Sequence, residues 1–331
     1  MSTRISLGKD GVASLSRGLK ALIWASGVGM FLVLIAGALV SQTGSGDGCG
    51  ASWPLCHGRW LPDGTTASLI EYNHRVVSGI TGILVLALSI VMWRNYGWRP
   101  EARLFAGLSV FFLVLQSALG AWVVLAPQPD WLLAIHFGVS LTAFAGVVLS
   151  GVLLYQLHGQ GTGRDVPVSP QLRRWAWVTI LVVYLVVYTG AYVRHTNSNL
   201  ACLDWPLCNG RLIPADLFGP EGIQFLHRLA ALGGALVVGR LFYLAAKERQ
   251  RRPDIYRAAA WSLALIIAQA LTGGLSVLTR LNGLAVMAHS AIITLLFGVL
   301  ACICLQVMPE PALADRRAAQ PAGAAGARTQ A

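Results

Sequence analysis

The 331-residue chain is poor in charge: Asp, Glu, Lys and Arg make up 12% of it, about half the roughly 25% of a soluble domain. That shortage excludes an ordinary water-facing enzyme, and it excludes a disordered protein, whose composition would be the reverse. Acidic residues are scarcer still, with 14 Asp+Glu against 25 Lys+Arg. A net charge of +11 would elsewhere suggest nucleic acid, but in so apolar a chain the cations first read as topology signals, and no nucleic-acid partner is expected. Six cysteines are too few for a disulfide scaffold in a chain of this length.

What the chain does have is 55% apolar residues, gathered into long runs. A hydrocarbon core of about 30 Å takes roughly 20 helical residues, and runs of that kind fall at about 20–41, 75–93, 104–126, 132–155, 175–193, 225–246, 258–279 and 285–307. They are too long and too uniformly apolar for barrel strands, and only helices or closed barrels span lipid. The expected class is therefore all-α integral membrane, with eight transmembrane helices. Residues 1–19 form a polar N-terminus, 156–174 a linker, and 308–331 an Ala/Pro/Gly/Arg tail with the composition of disorder. Eighteen of the 25 Lys and Arg lie in the termini and in segments 94–103, 156–174 and 247–257. The positive-inside rule makes that face cytoplasmic, with both termini inside and the longer loops, 42–74 and 194–224, outside. Ala36-Gly37-Ala38 resembles a signal cleavage site, but the segment has a twin in mid-chain, which argues against removal.

That twin belongs to an internal repeat. Displaced by 153 residues, Gly37-Ala38 meets Gly190-Ala191, and Thr43 and Ser45 meet Thr196 and Ser198; with one residue deleted in the second loop, Trp53-Pro54-Leu55-Cys56 meets Trp205-Pro206-Leu207-Cys208. His74-Arg75 meets His227-Arg228, Gln116 meets Gln269, and His136 meets His289. The expected architecture is two tandem four-helix bundles, 20–155 and 175–307, related by a pseudo-two-fold axis near the membrane normal.

Four of the seven histidines fall in pairs of identical spacing, His74 with His136 and His227 with His289. His74 and His227 are expected at the outer ends of their spans and His136 and His289 about 7 Å deeper. A single membrane histidine is usually a partner for a neighbouring helix. Two matched pairs read instead as metal ligands, and two imidazoles across a four-helix bundle suit a haem b iron. Gly79, Gly82, Gly233 and Gly234 leave room for a flat macrocycle, and Arg75 and Arg228 stand where a guanidinium can pair with a propionate or simply snorkel. His57, His158 and His195 receive no ligand role.

Cys49 and Cys56 lie in the first outer loop, and Cys202 and Cys208 in the second, on the side where disulfides persist. Each pair suits a short loop closure; a redox-active thiol pair is the other reading, and a zinc site is disfavoured by location and spacing. Cys302 and Cys304 read as packing. One substitution separates the halves: Glu71 in the first stands where the second has Gln224. A carboxylate one turn from His74 can move protons or merely cap its helix. The asymmetry suggests that the first half reacts and the second holds a permanent electron carrier.

With Glu71-x-x-His74, His136, His227, His289, the Trp-Pro-Leu-Cys loops and the eight-span repeat, residues 18–307 resemble the haem A synthase family. The resemblance implies oxidation of the haem O C8 methyl to the formyl of haem A, for cytochrome oxidase assembly. It also implies haem b between His227 and His289, and the substrate haem near His74, His136 and Glu71. Expected partners are haem O synthase (protohaem farnesyltransferase), a quinone or redox protein as electron partner, the bilayer of a bacterial plasma membrane, and a second copy of the chain. A Gly-Arg follows each second cysteine, and no function attaches to it. Two other classes compete. A di-haem b electron carrier would not need Glu71 opposite Gln224, and a membrane thiol–disulfide oxidoreductase would leave four matched histidines unexplained.

Overall fold

The computed structural model describes residues 15–126, 130–159 and 164–309. The tail expected to be disordered and several of the basic residues used to assign orientation, among them Arg4, Lys9 and Arg316, lie outside the described residues. Among those described, eight helices are long and apolar enough to cross a membrane: α1 Arg17–Thr43, α2 Thr66–Tyr96, α3 Pro100–Leu125, α4 Asp130–Leu157, α5 Pro170–His195, α6 Pro220–Lys247, α7 Pro253–Leu278 and α8 Gly283–Gln306. Local chemistry sets their starts. Ser16, Thr65 and Ser169 accept from the backbone N–H three residues on, satisfying one of the donors a helix start leaves unpaired. Proline occupies the first turn of α3, α5, α6 and α7, where its missing N–H costs nothing.

All eight helices start before their expected spans, α2 by the most. Helix α2 begins at Thr66 rather than 75, and α6 at Pro220 rather than 225. The apolar scan stops at the polar Glu71, Asn73, His74 and Arg75, whereas the helix continues, because Glu71 and Arg75 bond to the outer loop and His74 faces a cavity. The histidines consequently sit six to eight residues beyond the first residues of α2, α4, α6 and α8. Partners differ by at most two residues, about 3 Å of rise, so the expected 7 Å offset within each pair disappears.

Helix α1 packs on α2 and α4, and α3 also packs on α2 and α4; α5 packs on α6 and α8, and α7 on the same two. Four helices thus enclose each histidine pair, with the two bearing helices on a diagonal. The groups meet where α4 contacts α5 and α8, and α1 contacts α8. Helices α4 and α8 are the central ones, with 61% and 56% of their apolar windows buried against 11–28% elsewhere. The seam is closed by small-to-aromatic packing. Gly138 faces the Tyr188 ring and Gly298 faces Phe144, where a Cβ would stand 2.4 and 2.9 Å from its neighbour. At the end opposite the histidines, buried arginines tie loops to helices. Arg164 pairs with Glu101 at 2.5 Å, and Arg252 pairs with Asp254 while donating to the Val166 and Gln306 carbonyls.

Candidate functional site

The two outer loops are built by one plan. Disulfides join Cys49 to Cys56 and Cys202 to Cys208, the pairing expected within each half. The residues after each second cysteine, His57-Gly58 and Asn209-Gly210, have positive φ, as a tight two-residue turn demands, and the cysteine pairs its backbone with Arg59 or Arg211. The Gly-Arg that had no evident role is therefore the close of this turn. His57 donates through Nε2 to the Gly48 carbonyl at 3.0 Å, and Asn209 donates to the matching Ala201 carbonyl at 3.0 Å. Hydrogen bonds from Ser68 and Thr65 hold the Asp63 carboxyl down at about 2, beside the start of α2.

Glu71 and Gln224 anchor these loops to α2 and α6. The Cys49 N–H donates to Glu71 Oε2 at 2.8 Å, and the Cys202 N–H to Gln224 Oε1 at 2.6 Å. The remaining functions diverge. Glu71 Oε1 pairs with Arg75, whereas Gln224 donates through Nε2 to the Asn199 carbonyl at 2.8 Å. Arg75 also donates to the Ser52 and Leu55 carbonyls, and Arg228 to the Asp204 and Leu207 carbonyls. Both arginines, expected at a haem rim, are thus also loop braces.

Glu71, His74, Arg75, His136, Gln224, His227, Arg228 and His289 all line one cavity of about 1530 Å³, larger than the roughly 300–1,000 Å³ of a single small-ligand pocket. Walls come from helices of both groups and from Trp53, Trp60, Trp205 and Leu212 of the outer loops. The four cysteines of the loops are not among the lining residues, and neither is His57 or His158. His195 lines the cavity without a second histidine placed opposite it by the repeat.

The glycines that receive the imidazoles differ from those picked in the sequence. A Cβ at Gly37 would stand 3.3 Å from His74, at Gly120 3.5 Å from His136, at Gly190 2.9 Å from His227, and at Gly273 3.0 Å from His289. Each histidine therefore lies against a bare stretch of the neighbouring odd-numbered helix. Gly79, Gly82 and Gly234 line the cavity, and Gly233 does not. The signal that finds the right set is the offset itself, since Gly37/Gly190 and Gly120/Gly273 are both 153 apart.

The donor set fits haem. Two imidazoles face one another across each helical group, glycines let the rings sit back against helix backbone, and the space between is mainly apolar. The buried side-chain oxygens of Gln42, Gln116 and Gln269, all on the cavity, have no partner. No group of three or more His, Cys, Asp or Glu suited to a bare metal ion occurs among the described residues.

Comparison with known proteins gives the same direction. The family model for cytochrome oxidase assembly proteins matches residues 63–301. A haem A synthase of Symbiobacterium thermophilum is 43% identical over 297 residues, covering 88% of this chain and 96% of that protein. One from Geobacillus thermodenitrificans is 44% identical over 314 residues, covering 94% and 96%. The chain belongs to the haem A synthase family. Membership makes it a multi-pass membrane protein and an enzyme that converts haem O to haem A.

Proposed function

We propose that this protein oxidises the C8 methyl of haem O to the formyl group of haem A, with haem O entering between His74 and His136 and haem b resident between His227 and His289. The observation that carries this is the single cavity reached by both histidine pairs, which lets two tetrapyrroles lie within one protein interior. The reading includes two tandem four-helix bundles related by a pseudo-two-fold axis, both termini cytoplasmic, and the disulfide loops on the outer side of a bacterial plasma membrane. Haem O is supplied by a haem O synthase, electrons pass to a quinone or redox protein, and a second copy of the chain is a further partner.

Taking a methyl to an aldehyde removes four electrons in two stages, and haem b when bound supplies a one-electron relay beside the reacting half. The chain's own residues do the rest. His74 and His136 hold the substrate iron, so that the porphyrin edge is fixed relative to α2. Glu71 is one turn from His74 on the same face, and its carboxylate can take a proton at Oε1 when Arg75 turns toward a propionate. Arg75 and Arg228 line the cavity, as does Arg194, and their guanidinium groups are matched to carboxylates. The apolar walls exclude water and accept a farnesyl tail.

The test is pigment extraction from cells making this protein together with a haem O synthase. Haem A in the extract is the expected result. Recovery of two tightly held b haems with no haem A would replace this reading by the electron-carrier one.

A further inference from the structure

The four imidazoles differ in a way that fixes which nitrogen carries the proton. A hydroxyl has one hydrogen to donate, and a carbonyl only accepts. Thr189 Oγ1 lies 2.7 Å from the Val186 carbonyl and 2.9 Å from His227 Nδ1. Its one hydrogen goes to the carbonyl, so the oxygen accepts from Nδ1, which must be N–H. Thr272 Oγ1 lies 2.8 Å from the Ala268 carbonyl and 3.2 Å from His289 Nδ1. The same Nδ1 is 3.1 Å from the Gln269 carbonyl, which again requires N–H there. A neutral ring protonated at Nδ1 has its lone pair at Nε2. The Gln269 amide, 3.0 Å from His289 Nε2, donates into that lone pair and would give it up to an iron bound there. Both second-half imidazoles are therefore set as the tautomer that binds a metal through Nε2.

The first half lacks this device. Ala36 stands 153 residues before Thr189, and Leu119 before Thr272. Neither side chain can bond an imidazole, and Nδ1 of His74 and of His136 is buried with no partner among the described residues. The glycine that follows each position is the same in both halves: Gly37 and Gly120, Gly190 and Gly273. Position and backing are thus repeated, while the hydrogen bond is present in one half and missing in the other.

We infer that Thr189 and Thr272 are positioning residues that lock His227 and His289 onto a resident haem, and that Ala36 and Leu119 leave the first pair free to release its haem. This rests on the assignment of the resident haem to the second half. A second partner on the distal ring nitrogen holds the ring in plane and raises its basicity, and removing such a partner costs roughly 10–100-fold in metal affinity. A resident haem needs that grip. A substrate porphyrin, which must leave after each turnover, is better served without it.

The experiment uses the full-length purified protein with its resident haem, mixed with excess apomyoglobin as haem acceptor. Transfer rate, low-spin electron paramagnetic resonance spectrum and midpoint potential are measured for Thr189→Val and Thr272→Val, and for the matching Ser variants. Valine keeps the shape and removes the hydroxyl. Thr189→Val should lose haem about tenfold faster or more, and Thr272→Val by a smaller factor because the Gln269 carbonyl still accepts from His289 Nδ1; both should show altered low-spin resonances and a raised potential, and each Ser variant should restore all three. Val variants that match wild type, or Ser variants that fail as Val does, would overturn the inference. If the Val variants do not fold, Ala36→Ser decides: slower release of haem from the first half supports the lock, and unchanged release refutes it. A His227→Ala variant that keeps its resident haem would instead overturn the assignment of that haem to the second half, a separate failure.

Discussion

The two halves of the chain share a backbone plan and differ in a handful of side chains. Each presents an imidazole on a helix start, a glycine opposite it, a disulfide loop above it and an acceptor on the loop's first cysteine N–H. In the second half the polar groups bond mainly to one another and to backbone, through Thr189, Thr272, Gln269 and Gln224. In the first half, Glu71 and Arg75 form an ion pair and both histidine Nδ1 atoms are unpartnered. Duplicating a cradle is therefore separate from assigning it a task. A satisfied polar network holds its geometry, and a partly satisfied one is open to a ligand.

The largest expected effect sharpens that contrast at the iron ligands. His227→Ala or His289→Ala should abolish the low-spin haem b absorbance of the purified protein, because two nitrogens are needed for bis-imidazole ligation. His74→Ala and His136→Ala should keep it and lose haem A formation. The opposite pattern would exchange the roles of the halves.

Next is the charge that separates the loop braces. Glu71→Gln copies what the second half has at Gln224 and preserves an acceptor for the Cys49 N–H. Losing a positioned acid/base costs about 10²–10⁴-fold in rate, so haem A formation should fall by that order with haem b retained. Wild-type turnover would reduce Glu71 to a brace. Gln224→Glu should not create a second reacting site.

A smaller effect belongs to the glycines. Gly190→Ala brings a methyl to 2.9 Å from His227, against 3.3 Å for Gly37→Ala and His74. Haem loss from the second half should rise a few-fold in the first variant. The second variant should show its effect as a higher KM for haem O, with the resident haem spectrum unchanged.

The smallest effect is expected at the second loop. Cys202→Ser with Cys208→Ser removes a closure of short span, at the low end of the usual range, about 2 kcal/mol. Thermal unfolding should come earlier while turnover per bound haem persists. Abolished turnover at unchanged haem content would make the cysteines redox participants, and mass mapping that found cross-pairing between the loops would contradict the pairing within each half.

Much of this was legible in the residues. Run length gave eight spans, and the offset of 153 brought together both histidine pairs, both loops and the Glu71/Gln224 difference. The polar stretches Glu71–Arg75 and Gln224–Arg228 hid the first turns of α2 and α6, since hydropathy cannot tell a polar residue facing a cavity from one in a loop. The arginines read as rim cations because a sequence shows a charge and not the carbonyls that will turn toward it.

By itself the sequence determined the membrane class, the repeat, the four matched histidines and the position of the carboxylate, because each depends on composition or on spacing along one chain. Only the tertiary structure decided that both pairs open on one cavity, that Gly37, Gly120, Gly190 and Gly273 back the rings, and that Thr189 and Thr272 reach the imidazoles. The ring contacts among these join residues 16 to 38 positions apart. Such contacts arise from how helices pack and turn about their axes, and no local pattern records that rotation.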